Sequence, residues 1–476
     1  MTEITTERTL FARDALLPTG WARDVLLEWD AGGHFVRVST GALPGSDVRR
    51  AAGPVIAGMP NLHSHAFQRV FSGLAESRAT NQDSFWSWRE LMYRVALDLT
   101  PEQLESIATW VYIEMLEAGY TSVCEFHYVH HDTDGRPYAD DAALAQCVVR
   151  AAERAGIGLT LLPVLYQSGG FGGAPPSEQQ QRFVRSTESF LRLIDGLAPS
   201  CATSGVRLGI AAHSLRAVQP ESLRDALDGF ERIDPTGPIH IHIAEQKREV
   251  DDCLAWSGQR PVEWLLDHAG VNERWCLVHA THMTADETGR AARTGAVAGL
   301  CPTTEANLGD GIFNLPVWSG DAGGARGHWG VGSDSQVCVN AAEELLVLEY
   351  SQRLQLQRRN IAASTGLPQV ATAMMLAAVD GGARAAGHLR AGASDAGLSV
   401  GGRADFVVLD AEHVLLRGLS PAQMLSVHVF GSHRTSAVHD LWVMGRRTVS
   451  AGSHDLRATA AAEFARARSE LLGAVR

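Results

Sequence analysis

Between residues 55 and 332 the apolar positions gather into short runs, at 55–59, 121–126, 158–165, 206–212, 239–244, 275–278, 296–301 and 330–332. Amphipathic stretches with helix signals separate them. Thr100 stands as an N-cap, Pro101 as a first helical position and Gln103 as the partner in a capping box, while Gly119 closes that helix and Gly156 the next. Eight alternations of strand and helix over about 330 residues predict a (β/α)8 barrel with insertions. An open doubly wound sheet is the competitor, but no Gly-X-Gly-X-X-Gly follows a strand to support it.

The two ends of the chain have a different texture. Short runs at 24–29 and 34–38, punctuated by Gly20 and Gly32-Gly33, read as a small antiparallel sheet, and the runs at 403–410 and 439–449 repeat the pattern. The expected organisation is therefore a small β-sandwich domain built from both termini, 1–57 and 395–476, the latter with a terminal helix, around a barrel spanning 58–394. Residues 168–176, rich in Gly and Pro, read as a mobile loop.

Composition narrows the partners. The chain has 476 residues, 45% hydrophobic and 20% charged, as expected of a soluble globular protein with one large or two modest domains. A net charge of −13 argues against nucleic acid or an anionic membrane as the main partner and leaves a small molecule. Lys247 is the one lysine among 41 basic residues, so arginine is the default cation and a single Arg is weak evidence of recognition. The seven cysteines are scattered and never in a Cys-X-X-Cys pair, which suggests neither a disulfide framework nor a cysteine zinc site. Residues 1–13 lack an apolar core, and no apolar run approaches the ~18 residues of a membrane span, so the expected location is the cytoplasm.

Chemistry enters at His63-Ser64-His65, where two imidazoles one residue apart share a face of an extended segment. Alone, the pair fits a polar strand exit equally well. In a (β/α)8 barrel, however, reactive groups gather at the C-terminal strand ends, and there the sequence also sets His242, His279 and Asp334. Asp334 alone would read as a helix cap and Glu245 as a solvated helix start. Four groups at four strand ends favour a catalytic divalent metal instead, since imidazole nitrogens and a carboxylate suit zinc, which lowers the pKa of its bound water to ~7. Glu245, three residues past His242, is placed to move protons; His240 reads as a packed barrel residue and His282 as a loop residue.

The segments 59–69 and 240–246, Phe85-Trp86-Ser87-Trp88-Arg89, Glu125-Phe126-His127-Tyr128, Ala212-His213-Ser214-Leu215-Arg216 and 301–311 carry a resemblance that runs almost end to end. The metal motifs resemble the amidohydrolase superfamily, in its mononuclear deaminase branch; the Trp-Ser-Trp-Arg, His-Ser-Leu-Arg and Pro-Thr-Thr-Glu-Ala-Asn segments are similar to those of the formimidoylglutamate deiminases of bacterial histidine degradation. The resemblance implies one zinc ion, with Fe2+ as another suitable metal, on His63, His65, His242 and Asp334. It implies catalytic roles for Glu245, His279 and Asp334, substrate contacts from Gln68, Arg89, Tyr128, His213 and Arg216, and a homodimer. The expected reaction is hydrolytic deimination of a formimino dicarboxylate, for which planar arginine forks are suited. An aminohydrolase acting on another amidine-like compound or on a purine or pterin ring is the alternative. A metal-free barrel kept as a binding module is the reading from another class, and the intact ligand residues argue against it.

Overall fold

A computed structural model of the chain describes residues 8–77, 85–320, 324–389, 396–431 and 436–474. The expected boundary between residues 394 and 395 lies outside them, as do residues 1–7 of the N-terminal stretch.

One of two nine-stranded sheets runs in parallel order through Met59–Ser64, Tyr120–His127, Gly158–Leu165, the broken pair Arg207–Leu208 and Ile210–Ala212, Ile239–Ile243, Trp275–His279, Val297–Leu300 and His328–Val331. It closes on itself where Ser64 bridges Asp334: the Asp334 N–H donates to His63 O and the His65 N–H to Asp334 O, both at 3.0 Å. With helices between successive strands this is the (β/α)8 barrel that the apolar runs predict.

The first run divides where the sequence suggested a single strand. Val55–Ala57 pairs with Phe406–Leu409 and Thr9–Leu17 in a second sheet, and the chain enters the barrel only from Met59. Gly58 is the pivot, because its N–H donates to Asp405 O at 3.0 Å and a Cβ there would lie 2.2 Å from Thr121 Cγ2. His63 consequently lies inside the first barrel strand rather than at its exit.

Leu62, Cys276, Val278, Val297, Cys301 and Ala385 fill the barrel interior below the histidines. Helix Val370–Ala385 caps this end, its Ala385 O accepting from His240 Nε2 at 2.8 Å. A Cβ on Gly381 would lie 1.9 Å from Trp329 O, so this approach of helix to strand needs glycine. His240 is thereby a structural group, as its depth in the strand predicts.

The second sheet runs in the order Ser453–His454, Arg446–Ser450, Val438–Val443, Phe406–Leu409, Val55–Ala57, Thr9–Leu17, Gly20–Trp29, Phe35–Ser39. Thr9–Leu17 pairs in parallel with Val55–Ala57 and Arg49–Arg50; the other pairings are antiparallel. The sheet rolls so that Phe35 N–H reaches Gly402 O at 2.9 Å and Ala404 N–H reaches Gly33 O at 2.8 Å. Trp29, Phe35 and Trp442 pack on Phe406 inside the roll, at ring-centroid distances of 5.6, 6.1 and 4.7 Å. The sandwich expected from the two termini is thus one continuous rolled sheet. Helix Arg457–Ala474 then returns to the barrel, where Phe464 stacks on Trp110 at 6.0 Å and Glu463 pairs with Arg154 at 2.7 Å. Among the described residues no helix is long and apolar enough to cross a membrane.

Candidate active site

At the C-terminal strand ends the backbone turns sharply. Ala244, His279, Ala280, Asp334 and Gln336 have φ of +50°, +67°, +48°, +48° and +60°, a left-handed region that residues with a Cβ seldom adopt. Surrounding bonds hold them there: Ala280 N–H donates to Ile243 O and His282 N–H to Ala244 O, both at 3.0 Å, while Glu249 accepts from the N–H groups of Ala244 and Glu245 at 3.1 Å. Strain gathered at one end of the barrel and paid for by neighbours is a mark of a functional site.

The imidazoles are aimed by their outer nitrogens. His65 Nδ1–H donates to Phe126 O and His242 Nδ1–H to His213 O, each at 3.0 Å, which leaves Nε2 with its lone pair facing inward. The Nε2 atoms of His63 and His242 lie 2.9 Å apart, and Asp334 Oδ1 is 3.4 Å from Nε2 of both His63 and His65. His63 Nδ1 has no partner, so the protein leaves that tautomer open. Burial holds His63 and His242 below the usual histidine range and takes His65 down to about 3. Burial also pulls the Asp334 carboxyl upward, but the bond to His63 and the positive charge of His279 outweigh it and keep it well below the carboxylate range. Neutral imidazoles and an ionised carboxylate converging on one point are the protonation states and donor set that a divalent ion requires. His63, His65 and Asp334 on one side, and His63, His242 and His279 on the other, each bring their donor atoms within 4.8 Å of one another.

His279 is held differently. Its Nδ1 contacts Glu305 Oε1 at 3.2 Å, and its Nε2 lies between Glu245 Oε1 at 3.7 Å and Asp334 Oδ2 at 3.8 Å. Burial opposes its protonation, yet the carboxylates of Glu245, Glu305 and Asp334 overcome it and raise the ring to about 10. Glu245 is not the solvated helix-start residue that its position also allowed: it is buried, and burial pushes its carboxyl upward.

Above these groups opens a cavity lined by all the expected substrate residues, Gln68, Arg89, Tyr128, His213 and Arg216, with His65, His242, Glu245, His279 and Asp334 at its floor. His63 lies beneath them, fully buried. Gln68 Nε2 donates to Tyr128 Oη at 2.9 Å, and Arg89 donates to Tyr166 Oη at 3.2 Å while its guanidinium stacks 5.0 Å from the Tyr93 ring. Burial, then the charges of Arg216 and Arg89, depress His213 well below its usual range, so both arginines act on that imidazole. A larger cavity of ≈ 440 Å³ lies where the rolled sheet meets the barrel, between Leu16, Trp329 and Leu398, but it holds none of this chemistry.

Sequence reasoning did not reach Tyr166, Gln180, Glu249 or Glu305. Glu305 carried a signal, since it falls within Pro-Thr-Thr-Glu-Ala-Asn; the others stand in unremarkable surroundings and matter only through what folding brings beside them.

The model of the amidohydrolase family matches residues 55–448, and the model described as "Formimidoylglutamate deiminase HutF, N-terminal domain" matches residues 7–52. A formimidoylglutamate deiminase of Pseudomonas aeruginosa is 49% identical over 97% of this chain and 99% of its own length. An 8-oxoguanine deaminase of the same organism is 29% identical over 76% of each chain. Among solved structures, an amidohydrolase from Brucella melitensis superposes with a TM-score of 0.90 at 48% identity, covering 98% of this chain and 100% of that one. An adenosine deaminase from Xanthomonas campestris with bound zinc, 20% identical, shares the fold with a TM-score of 0.76 over 98% of each chain. Strand-end histidines on a closed barrel, a family match across most of the sequence and an end-to-end relative lead to one conclusion: the chain belongs to the amidohydrolase family.

Proposed function

We propose that this chain hydrolyses N-formimino-L-glutamate to N-formyl-L-glutamate and ammonia, a step of histidine degradation, with one zinc ion held by His63, His65, His242 and Asp334. The observation that carries the reading is a cavity in which Arg89 and Arg216 stand over the histidine cluster, in a chain 49% identical to a formimidoylglutamate deiminase. A substrate with two carboxylates needs two such forks, whereas a flat neutral ring needs stacking. Gln68, Tyr128 and His213 supply further donors around the carboxylates. In the same reading residues 58–394 form the catalytic barrel, residues 1–57 and 395–476 a small β domain, and the protein works as a cytoplasmic homodimer.

A divalent ion on His63, His65, His242 and Asp334 would supply Lewis acidity, bringing the pKa of a water into the neutral range and polarising the formimino group. Asp334 receives the proton that the attacking water loses. His279, its Nε2 3.8 Å from Asp334 Oδ2 and 3.7 Å from Glu245 Oε1, stands between the two carboxylates and turns its one Nε2–H to the developing tetrahedral centre. Glu245, ionised when the substrate binds, takes the remaining proton of the tetrahedral hydroxyl and delivers it to the departing nitrogen, which leaves as ammonia while the formyl C=O forms. Glu305 keeps the His279 ring oriented through Nδ1.

A coupled ammonia assay against formimino-glutamate, formimino-aspartate, adenosine and 8-oxoguanine tests the assignment. Turnover of formimino-glutamate well above the others is the expected result; deamination of a ring compound alone overturns it.

A further inference from the structure

The surroundings of His279 hold more carboxylate than the proposed chemistry uses. Glu305 is engaged, its Oε1 accepting from Cys301 N–H at 2.8 Å besides contacting His279, and Glu249 is engaged with two backbone N–H groups. Asp310 is not. Its carboxyl lies with that of Glu245 and the ring of His279 in a group that brings one oxygen or ring nitrogen of each within 4.8 Å of the others, and its Oδ1 accepts from Gln246 Nε2. Its Oδ2 is buried and has no hydrogen-bond partner, although the residue is only 5% exposed.

The carboxyl is delivered there by rigid backbone. Helix Pro302–Leu308 ends at Gly309, whose φ of +70° turns the chain; Asp310 N–H donates to Glu305 O at 3.0 Å, and His282 Nε2–H donates to Asp310 O at 2.8 Å. A buried carboxylate oxygen without a donor is costly, and a second carboxylate beside it adds repulsion. Burial and the neighbouring Glu245 push the Asp310 carboxyl well above the usual range, so before a ligand binds a proton and the His279 ring beside it complete the pair, and a cationic ligand takes over that role when it binds.

Resting on the deiminase reading above, we infer that Asp310 and Glu245 together seat the cationic formimino group of the substrate. An amidine is a strong base and enters a neutral solution as the planar amidinium ion. Its terminal NH2 carries two hydrogens, one for Asp310 Oδ2 and one for Glu245, and both bonds are charge-assisted. The pair thereby selects a cationic amidine over a neutral amide, urea or ring nitrogen, and holds the nitrogen that departs next to the group that protonates it. Asp310 is a substrate-contacting residue in this arrangement, at the opposite end of the substrate from the carboxylates that the arginines take.

Two non-reacting analogues that differ only in charge test the inference: N-amidino-L-glutamate, a guanidinium cation, and N-carbamoyl-L-glutamate, its neutral urea counterpart. Inhibition constants are measured on the zinc-loaded wild type and on Asp310→Asn, which keeps the acceptor for Gln246. The wild type is expected to prefer the cation, and Asp310→Asn to lose about tenfold or more in affinity for it while binding the urea almost unchanged. Melting temperature and zinc content of the variant are expected to match the wild type. An undiminished preference in a folded variant overturns the inference. Wild-type protein that turns over formimino-glutamate yet binds both analogues equally also overturns it, whatever the variant does, and leaves the deiminase reading standing. Absence of turnover and of binding by both analogues defeats that reading and the role of Asp310 with it.

Discussion

At the scale of single residues, the histidine and aspartate donors make the sharpest claim. His63→Ala or His242→Ala is expected to lose metal and activity together, with the wild type holding about one divalent ion per chain by elemental analysis; a metal-free preparation with full turnover would refute the mechanism. Glu245→Gln separates ligand from proton carrier: fold and metal should remain while turnover falls on the order of a hundredfold or more. Replacing Arg89 or Arg216 by methionine should cost roughly 2–5 kcal/mol in kcat/KM for formimino-glutamate, because a desolvated carboxylate is left unpaired. Lysine at either position should restore only part of it. These side chains were legible in the sequence because they sit in dense local motifs, most of them at strand ends and Arg89 in the helix Phe85–Asp98. Tyr166 and Gln180 were not: a tyrosine one residue past the strand Gly158–Leu165 and a glutamine closing the 3-10 turn Glu178–Gln180 say nothing until Gln180 Nε2 is seen bonding both Tyr93 Oη, at 3.1 Å, and Tyr166 Oη, at 2.5 Å.

That pair of bonds belongs equally to the scale of elements. The Gly and Pro of residues 168–176 suggest a mobile loop, and the segment that follows it is tethered: Arg182, fully buried, donates to His131 O at 2.8 Å and Leu99 O at 2.9 Å, and Gln180 clasps the two phenols that flank Arg89. Gln180→Leu is therefore expected to raise KM for formimino-glutamate several-fold with a smaller change in kcat, at about 1 kcal/mol per lost bond; an unchanged KM would disconnect the loop from recognition. The misjudged first strand has a similar origin, since nothing in an unbroken apolar run announces that Gly58 passes it from one sheet to another. Two helices, Pro302–Leu308 and Ala341–Leu356, are joined by Glu344, which accepts from Thr303 N–H at 2.9 Å and bonds Thr303 Oγ1 at 2.6 Å. Burial raises its carboxyl well above the usual range in spite of those bonds. A group raised on folding contributes stability that is complete below its unfolded pKa and is lost as pH climbs through the folded one. Glu344→Gln should consequently flatten the fall in melting temperature above the ordinary carboxylate range, and a profile as steep as the wild type's would show that the carboxyl is not the cause.

Over the whole molecule, the barrel was legible because its alternation repeats, whereas the rolled sheet was legible only as strand-rich ends. Its order depends on pairings between residues hundreds of positions apart, which no local pattern encodes. The barrel seam lies at the site itself, since Ser64 bridges Asp334 between the proposed ligands. Metal should accordingly bind the folded barrel alone and stabilise it by mass action, about 2.7 kcal/mol when the free ion is at 100 times its Kd. Chelation should lower the melting temperature and expose the amides of residues 61–65 and 332–336 to hydrogen exchange first; equal exchange with and without metal would contradict this. The rolled sheet has a consequence for synthesis on the ribosome. Val55–Ala57 lies between Thr9–Leu17, made near the start, and Phe406–Leu409, made near the end. Until Phe406–Leu409 emerges, close to the end of the 476 residues, the outer flank of Val55–Ala57 stays open, an edge able to pair with a neighbouring chain. Messages cut short before residue 406 should therefore yield aggregates rather than a free-standing barrel, and chaperone capture should end only as the final strands are released.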